Sequence, residues 1–436
     1  RQRRVPGIVI DRRLWPIIAL LALSAAIWEI DPRWIIDNVG GLTPLQQGEV
    51  NQRNLGGSQL IAPFGALAAL GLWLVTRRLR DDGSTAGVDW FGLWLAWALV
   101  GAVLGPDPLL ALTFTGSAAV VVVATRRLTR LDPTATALAM SLAFCGYVAI
   151  SLAVKATGLA DLRLRSGRFT LLSLEANQFS RMATLAALAG LYLLAESKWR
   201  PAQLLGALTF LGGLGGLVLT GSRTGFAATV VALAVLIGLR RSRRVIAGVL
   251  GLGVVATLLI GLTSMGSEGL SRLTGGSSTT AGSVATLTGR TNVWPVVIDV
   301  IRQNPLAGFG LGTDTQLLSP QSYRVGFVAE HAHSLALHIT LTTGLIGLGL
   351  FAAALVSALR RVSPTERPLV LALLSYVVVA GVSEAILRNP DIALVGLTFA
   401  LTLAERDHRA EPHLRRPRRS TLRQQTDDRP RPSVSV

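Results

Sequence analysis

Two arginines and a pair of histidines carry the chemistry this chain could perform. Arg223 lies in Thr220-Gly221-Ser222-Arg223-Thr224-Gly225-Phe226, between two hydrophobic runs with almost no loop to spare. A permanent charge so close to apolar surroundings is costly unless it meets a partner or a water-filled cavity. It therefore marks a functional position, the plain alternative being a side chain that snorkels toward lipid headgroups. Arg290 lies in Gly289-Arg290-Thr291-Asn292-Val293-Trp294. A guanidinium fork matches phosphate oxygens two at a time and does not lose its proton.

Three of the five histidines fall within eight residues, in Glu330-His331-Ala332-His333-Ser334 and at His338. An imidazole titrates near neutrality and suits a general base for a hydroxyl, although a polar helix cap would use the same residues. His331 and His338 are seven apart and would share a helical face. The His-x-His spacing invites a metal, but the sequence shows no third ligand, so no metal or other cofactor is expected. Asn304-Pro305-Leu306-Ala307-Gly308-Phe309-Gly310-Leu311-Gly312 holds a Gly-x-Gly-x-Gly run with no strand around it. It is no dinucleotide fingerprint; it is a tight turn or a nest of N–H groups for an anion. Glu175, Asn177 and Arg181 cluster in Leu174–Arg181, with Asn177 and Arg181 on one helical face; a capping cluster is the alternative. Glu384 and Arg388 are also four apart and suit an ion pair.

These residues sit in an unusual background. Of 436 residues half are hydrophobic and 15% are charged, and mean hydropathy is +0.50. A soluble chain carries about 25% charge, so an ordinary cytosolic enzyme and a disordered chain are both excluded. The class is all-α and polytopic in a membrane. Net charge is +17, but the arginines lie in short clusters between apolar runs, which argues for membrane orientation and against nucleic acid. The single Cys145 excludes a disulfide framework and reads as a small buried side chain.

Spans of roughly 20 apolar residues are expected at 14–30, 58–76, 88–105, 109–125, 134–157, 178–195, 202–220, 225–239, 245–263, 334–359, 368–387 and 391–404. Basic clusters around residues 1–13, 77–80, 126–130, 198–200, 240–244 and 360–367, with the tail 405–436, fall on alternate connections. The positive-inside rule then puts both termini in the cytoplasm. The first span lacks a cleavage site after it and reads as a retained anchor. The domain is 1–404, and 405–436 is a basic, disordered cytoplasmic tail. One outer loop, 264–332 between spans nine and ten, is long enough to be functional. Its first part is Gly/Ser/Thr-rich, and Asn292–Gln303 has the spacing of a short amphipathic helix with Pro295 early.

Together these motifs resemble the bacterial O-antigen ligase and O-antigen polymerase superfamily. Ser222-Arg223-Thr224-Gly225, Arg290 with Trp294, Asn304-Pro305 with Gly308, Gly310 and Gly312, and His333-Ser334 leading to Gly344 and Gly347 occur in that family's order, over roughly residues 165–350. Asn177-Gln178-Phe179 is similar to its Asn-Pro-Asn-like element, with Gln178 where proline is common and Ser334 where asparagine is common. The resemblance implies a metal-independent glycosyltransferase in the plasma membrane with its site on the outer face. Its donor would be a polyprenyl diphosphate-linked glycan and its acceptor a glycan or glycolipid hydroxyl. It implies that Arg223 and Arg290 hold the diphosphate and that His333 activates the acceptor; Asn177, Arg181, Glu175, Trp294, His331 and Gly310 would contact substrate. Attack opposite the leaving diphosphate predicts inversion at the sugar carbon. The acceptor separates ligase from polymerase and the sequence does not decide it; a lipid-linked sugar transporter or flippase and a cell-wall synthase are the other readings.

Overall fold

In a computed structural model the described residues are 10–30, 57–77, 89–157, 171–172, 176–239, 292–324 and 331–406. They form thirteen α-helices, with no strand among the described residues. These are α1 (Trp15–Ile27), α2 (Gly57–Thr76), α3 (Trp90–Leu104), α4 (Pro108–Leu131), α5 (Pro133–Ala156), α6 (Ala176–Glu196), α7 (Arg200–Thr220), α8 (Arg223–Leu239), α9 (Val293–Ile301), α10 (Asp314–Leu318), α11 (Leu335–Arg361), α12 (Arg367–Gly381) and α13 (Ile392–Arg406).

Four of them, α4, α5, α7 and α11, are long and apolar enough to cross a membrane, and shorter apolar helices accompany them. Phe64, Leu67, Leu204 and Leu208 remain more than half exposed. Water would penalise such a surface and hydrocarbon would not. The chain is a multi-pass membrane protein, helical in its described residues. Eleven of the twelve expected spans coincide with helices; the ninth, 245–263, lies outside the described residues.

Two boundaries differ from expectation for physical reasons. Helix α4 continues through the basic cluster to Leu131 because its arginines find partners. Arg126 pairs with Asp89, Arg127 donates to the Thr76 carbonyl, and Arg130 lies 3.6 Å from Glu405. The stop comes at Asp132-Pro133, where proline forbids helical geometry in the preceding residue; Asp132 then caps α5 by accepting from the Thr134 N–H at 2.9 Å. Helix α12 ends at Gly381, six residues early, and 382–391 is irregular. Glu384 and Arg388 are therefore not on a helix, and four-residue spacing no longer relates them.

The core is built by close backbone approach. Helices α6 and α7 pack along each other, and a Cβ on Gly190 would stand 2.5 Å from the Gly206 carbonyl oxygen. Small residues let two backbones touch where burial of apolar surface adds little in lipid.

The glycine run has a structural explanation. Gly344, with φ 67° and ψ −175°, breaks α11. In an unbroken helix the Leu345 and Ile346 N–H groups would bond the Leu341 and Thr342 carbonyls. Instead they donate to Pro305 and Leu306 at 2.8 and 3.4 Å, and Leu341 and Thr342 accept from Phe309 and Gly310 at 3.0 and 2.8 Å. The loop 305–310 is spliced into the broken helix. Gly308 and Gly310 sit at φ +71° and +92°, and a Cβ on Gly308 would stand 2.5 Å from the Thr342 carbonyl carbon. The run is a turn locked into α11, and the N–H of Gly310 is already used. Trp97 Nε1 donates to the Thr343 carbonyl at 2.9 Å and secures the break from the other side.

The expected amphipathic helix exists as α9. Val293, Val297, Val300 and Ile301 are buried and pack with Leu318, Ala332 and Leu341. This cluster fixes the entry to α11, and so fixes His331 and His333.

Candidate functional site

The turn into α8 is held on both flanks of Arg223. Gly221 caps α7 in the left-handed region, φ 58°. Ser222 Oγ accepts from the Gly225 N–H at 3.2 Å and donates to Asn177 Oδ1 at 2.7 Å. Thr224 Oγ1 lies 3.1 Å from Ser383 Oγ. Arg223 thus begins α8 at a helix N-terminus, an end that favours anions. Asn177 is brought to it as a positioning group, which is why an Asn at the start of α6 and a Ser-Arg turn belong together although 45 residues separate them.

Arg181, expected to contact substrate, lines the site's cleft and is also held by two buried acids. Its Nη2 lies 2.7 Å from Asp391 Oδ2 and 3.6 Å from Glu29 Oε2, and both acids are fully buried. Its guanidinium lies against two acids, one just before α13 and one just after α1. Gln178 Nε2 donates to the Glu29 carbonyl at 3.3 Å in the same join.

The histidines meet the connection after α12. His333 sits in the left-handed region at φ 48°, a conformation to which short polar side chains and histidine are better suited than most. Its ring centroid lies 4.0 Å from that of His331. One ligand atom each from His331, His333 and Glu384 lie within 4.8 Å of one another. The sequence showed no third metal-type ligand; the fold supplies one, Glu384, from 51 positions away. His331 and His338 do not share a helical face, because α11 starts only at Leu335. His338 instead points its Nδ1 at Asp314, 3.8 Å away.

A cleft with about 510 Å³ of empty space, its open mouth included, lies between the starts of α6 and α8 and the connection 382–391. Asn177, Arg181, Ser222, Thr224, His331, Glu384 and Arg388 are among its walls. Ser222 and Thr224 flank Arg223, and the His333 ring lies beside that of the wall residue His331, tilted 48° to it. Trp294 and Gly310 are not part of the lining; they belong to α9 and to the spliced turn. Arg290 and Glu175 lie outside the described residues.

The stretch 208–352, about a third of the chain, matches the family model described as O-antigen ligase. Residues 208–352 carry an O-antigen ligase family domain. No curated protein matches the sequence. The ligase domain runs from α7 to the middle of α11 and contains Arg223, Arg290, Trp294, His331 and His333. Three groups beside its cleft fall beyond it, and sequence reasoning gave none of them a site role: Glu384, Arg388 and Asn389. The available signal was three polar or charged residues interrupting an apolar C-terminal stretch.

Proposed function

We propose that the chain transfers a glycan from a polyprenyl diphosphate carrier to an acceptor hydroxyl on the outer face of a bacterial plasma membrane. The observation that carries the reading is the cleft itself. It joins the N-terminus of α8, with Arg223 between two wall residues, to the His331–His333–Glu384 cluster. Cleavage of the sugar–phosphate bond leaves negative charge on the departing diphosphate. Arg223, with Arg290, stabilises that charge by bidentate hydrogen bonds. His333 takes the proton of the acceptor hydroxyl as its oxygen attacks the anomeric carbon from the opposite side, so the product is inverted.

Twelve spans, cytoplasmic termini and a cytoplasmic tail belong to the same reading. Contacts favour this sidedness. Asp89–Arg126, Thr76–Arg127 and Arg130–Glu405 join helix ends that the basic clusters assign to the inside. Glu29–Arg181–Asp391, Asn177–Ser222 and His331–Arg388 join ends assigned to the outside.

A cell-wall synthase would need a free acid in the outer loop. Of its two aspartates, Asp299 is bridged to Arg324 at 2.7 Å and to Arg302 at 3.3 Å, and Asp314 is buried against Arg388; Glu268 and Glu330 of the same loop lie outside the described residues. The test is incubation of the purified protein in liposomes with a labelled polyprenyl diphosphate glycan and a defined acceptor. One transferred unit per acceptor supports a ligase, a ladder of lengths supports a polymerase. Movement of the donor across the bilayer without a covalent product would replace the reading with a flippase.

A further inference from the structure

Arg388 is the most connected side chain behind the histidines. Its Nε lies 3.4 Å from Asp314 Oδ2, its Nη2 donates to Thr315 Oγ1 at 2.8 Å, and its Nη1 lies 3.4 Å from His331 Nδ1. Asp314 is 1% exposed, so the acid that anchors the guanidinium is out of water. On its far side Asp314 faces His338 Nδ1 at 3.8 Å. The acid is bracketed by Arg388 and His338, with Arg388 standing between it and His331.

A guanidinium has five N–H donors and no acceptor, and it keeps its proton in proteins. Its contact with a ring nitrogen is attractive only when that nitrogen offers a lone pair. We infer that Arg388, fixed by Asp314 and Thr315, is a positioning residue that sets the ring proton of His331: Nδ1 bare, Nε2 protonated. This inference rests on the reading of the cleft as the transfer site. His331 then serves the cleft as a hydrogen-bond donor from the ring edge far from Arg388. It does not compete with His333, 4.0 Å away between ring centroids, for the role of base. Arg388, His333 and Glu384 all face His331. One donor imidazole beside one acceptor imidazole can hold a phosphate or hydroxyl oxygen and receive a proton at the same time; two bases or two donors could not.

The test is a nitrogen-15 spectrum of histidine-labelled protein in lipid nanodiscs without substrate. The chain has five histidines, and the His331 signals are those that His331→Gln removes. The expected spectrum shows His331 with an unprotonated Nδ1 and a protonated Nε2. Arg388→Gln is expected to give a mixture of tautomers, and Arg388→Lys, which keeps a cationic donor, to restore the single form. In the transfer assay Arg388→Gln is expected to lower kcat about 10-fold or more while KM stays within about 2-fold. If Arg388→Gln does not fold, Asp314→Asn and Thr315→Val, which loosen the arginine without removing it, are expected to broaden the same signals. A protonated Nδ1 in the wild type, or an unchanged ring in every folded variant, overturns the inference. Because the spectrum needs no donor, that result leaves the transfer reading standing, and loss of the transfer reading leaves the tautomer measurement intact.

Discussion

Removing Arg181 should damage the protein more than removing either acid that holds it. The guanidinium is 8% exposed, Asp391 and Glu29 are 0% exposed, and the two contacts are 2.7 and 3.6 Å. Breaking a buried pair by deleting one partner typically costs about 3–5 kcal/mol, because the survivor keeps an uncompensated charge. Arg181→Met leaves the two buried acids with no cation between them, so a loss within that range, about 3–5 kcal/mol, is expected. Asp391→Asn leaves Arg181 with Glu29, and the amide oxygen can still accept from the Ala393 N–H that Asp391 Oδ1 now caps at 2.9 Å. That change removes one charge-assisted hydrogen bond, worth about 1.5–3 kcal/mol. Replacing Glu29, Arg181 and Asp391 together by apolar residues of similar volume should cost less than Arg181→Met alone. Denaturant unfolding in one detergent, followed by tryptophan fluorescence, gives the three differences. Asp391→Asn more damaging than Arg181→Met, or a triple variant worse than every single one, would refute the reasoning.

Other consequences follow from named contacts. Gly344→Ala adds a Cβ that would overlap the Leu306 carbonyl at a φ of +67°; the left-handed backbone alone costs about 1–2 kcal/mol, so loss of folded protein on size exclusion is expected. Ser222→Ala removes the donor to Asn177 Oδ1 and the acceptor for the Gly225 N–H. It should cost about 1–2 kcal/mol and reduce transfer, read by unfolding and by product yield. The hydrogen bond from Arg324 holds the Asp299 carboxyl below the usual carboxylate range. Its folded-state pKa is depressed, so the contact is present above the unfolded value and is lost as pH falls through the lowered one. Asp299→Asn should therefore leave transfer unchanged at neutral pH and change only the acid side of hydrogen exchange in 319–324.

Much of the architecture was legible because hydrophobic runs and arginine clusters report on the bilayer rather than on distant partners. The short helix Val293–Ile301 was legible for a related reason, since its buried valines recur at helical spacing. What sequence could not supply was pairing across the fold. The ion pair of Arg181 could not be read from its own segment, because its partner Asp391, just before α13, lies 210 positions away. Glu384 reads as a helical partner of Arg388 until α12 is seen to stop at Gly381, freeing it to approach His331 and His333. The Gly-x-Gly-x-Gly run offered both a turn and an anion nest, and only the exchanged hydrogen bonds with α11 separate them. The basic end of α4 was lost to the loop expectation because a pattern cannot foresee that Asp89 and Glu405 will be there to receive it.

The most direct test of the account is transfer by the purified protein in nanodiscs, with donor binding and product formation measured separately for His333→Ala and Arg223→Ala. The account predicts that His333→Ala binds the lipid diphosphate glycan but forms product about 10²–10⁴-fold more slowly, and that Arg223→Ala binds it poorly, with both variants inserted and folded. Undiminished product from either variant contradicts it.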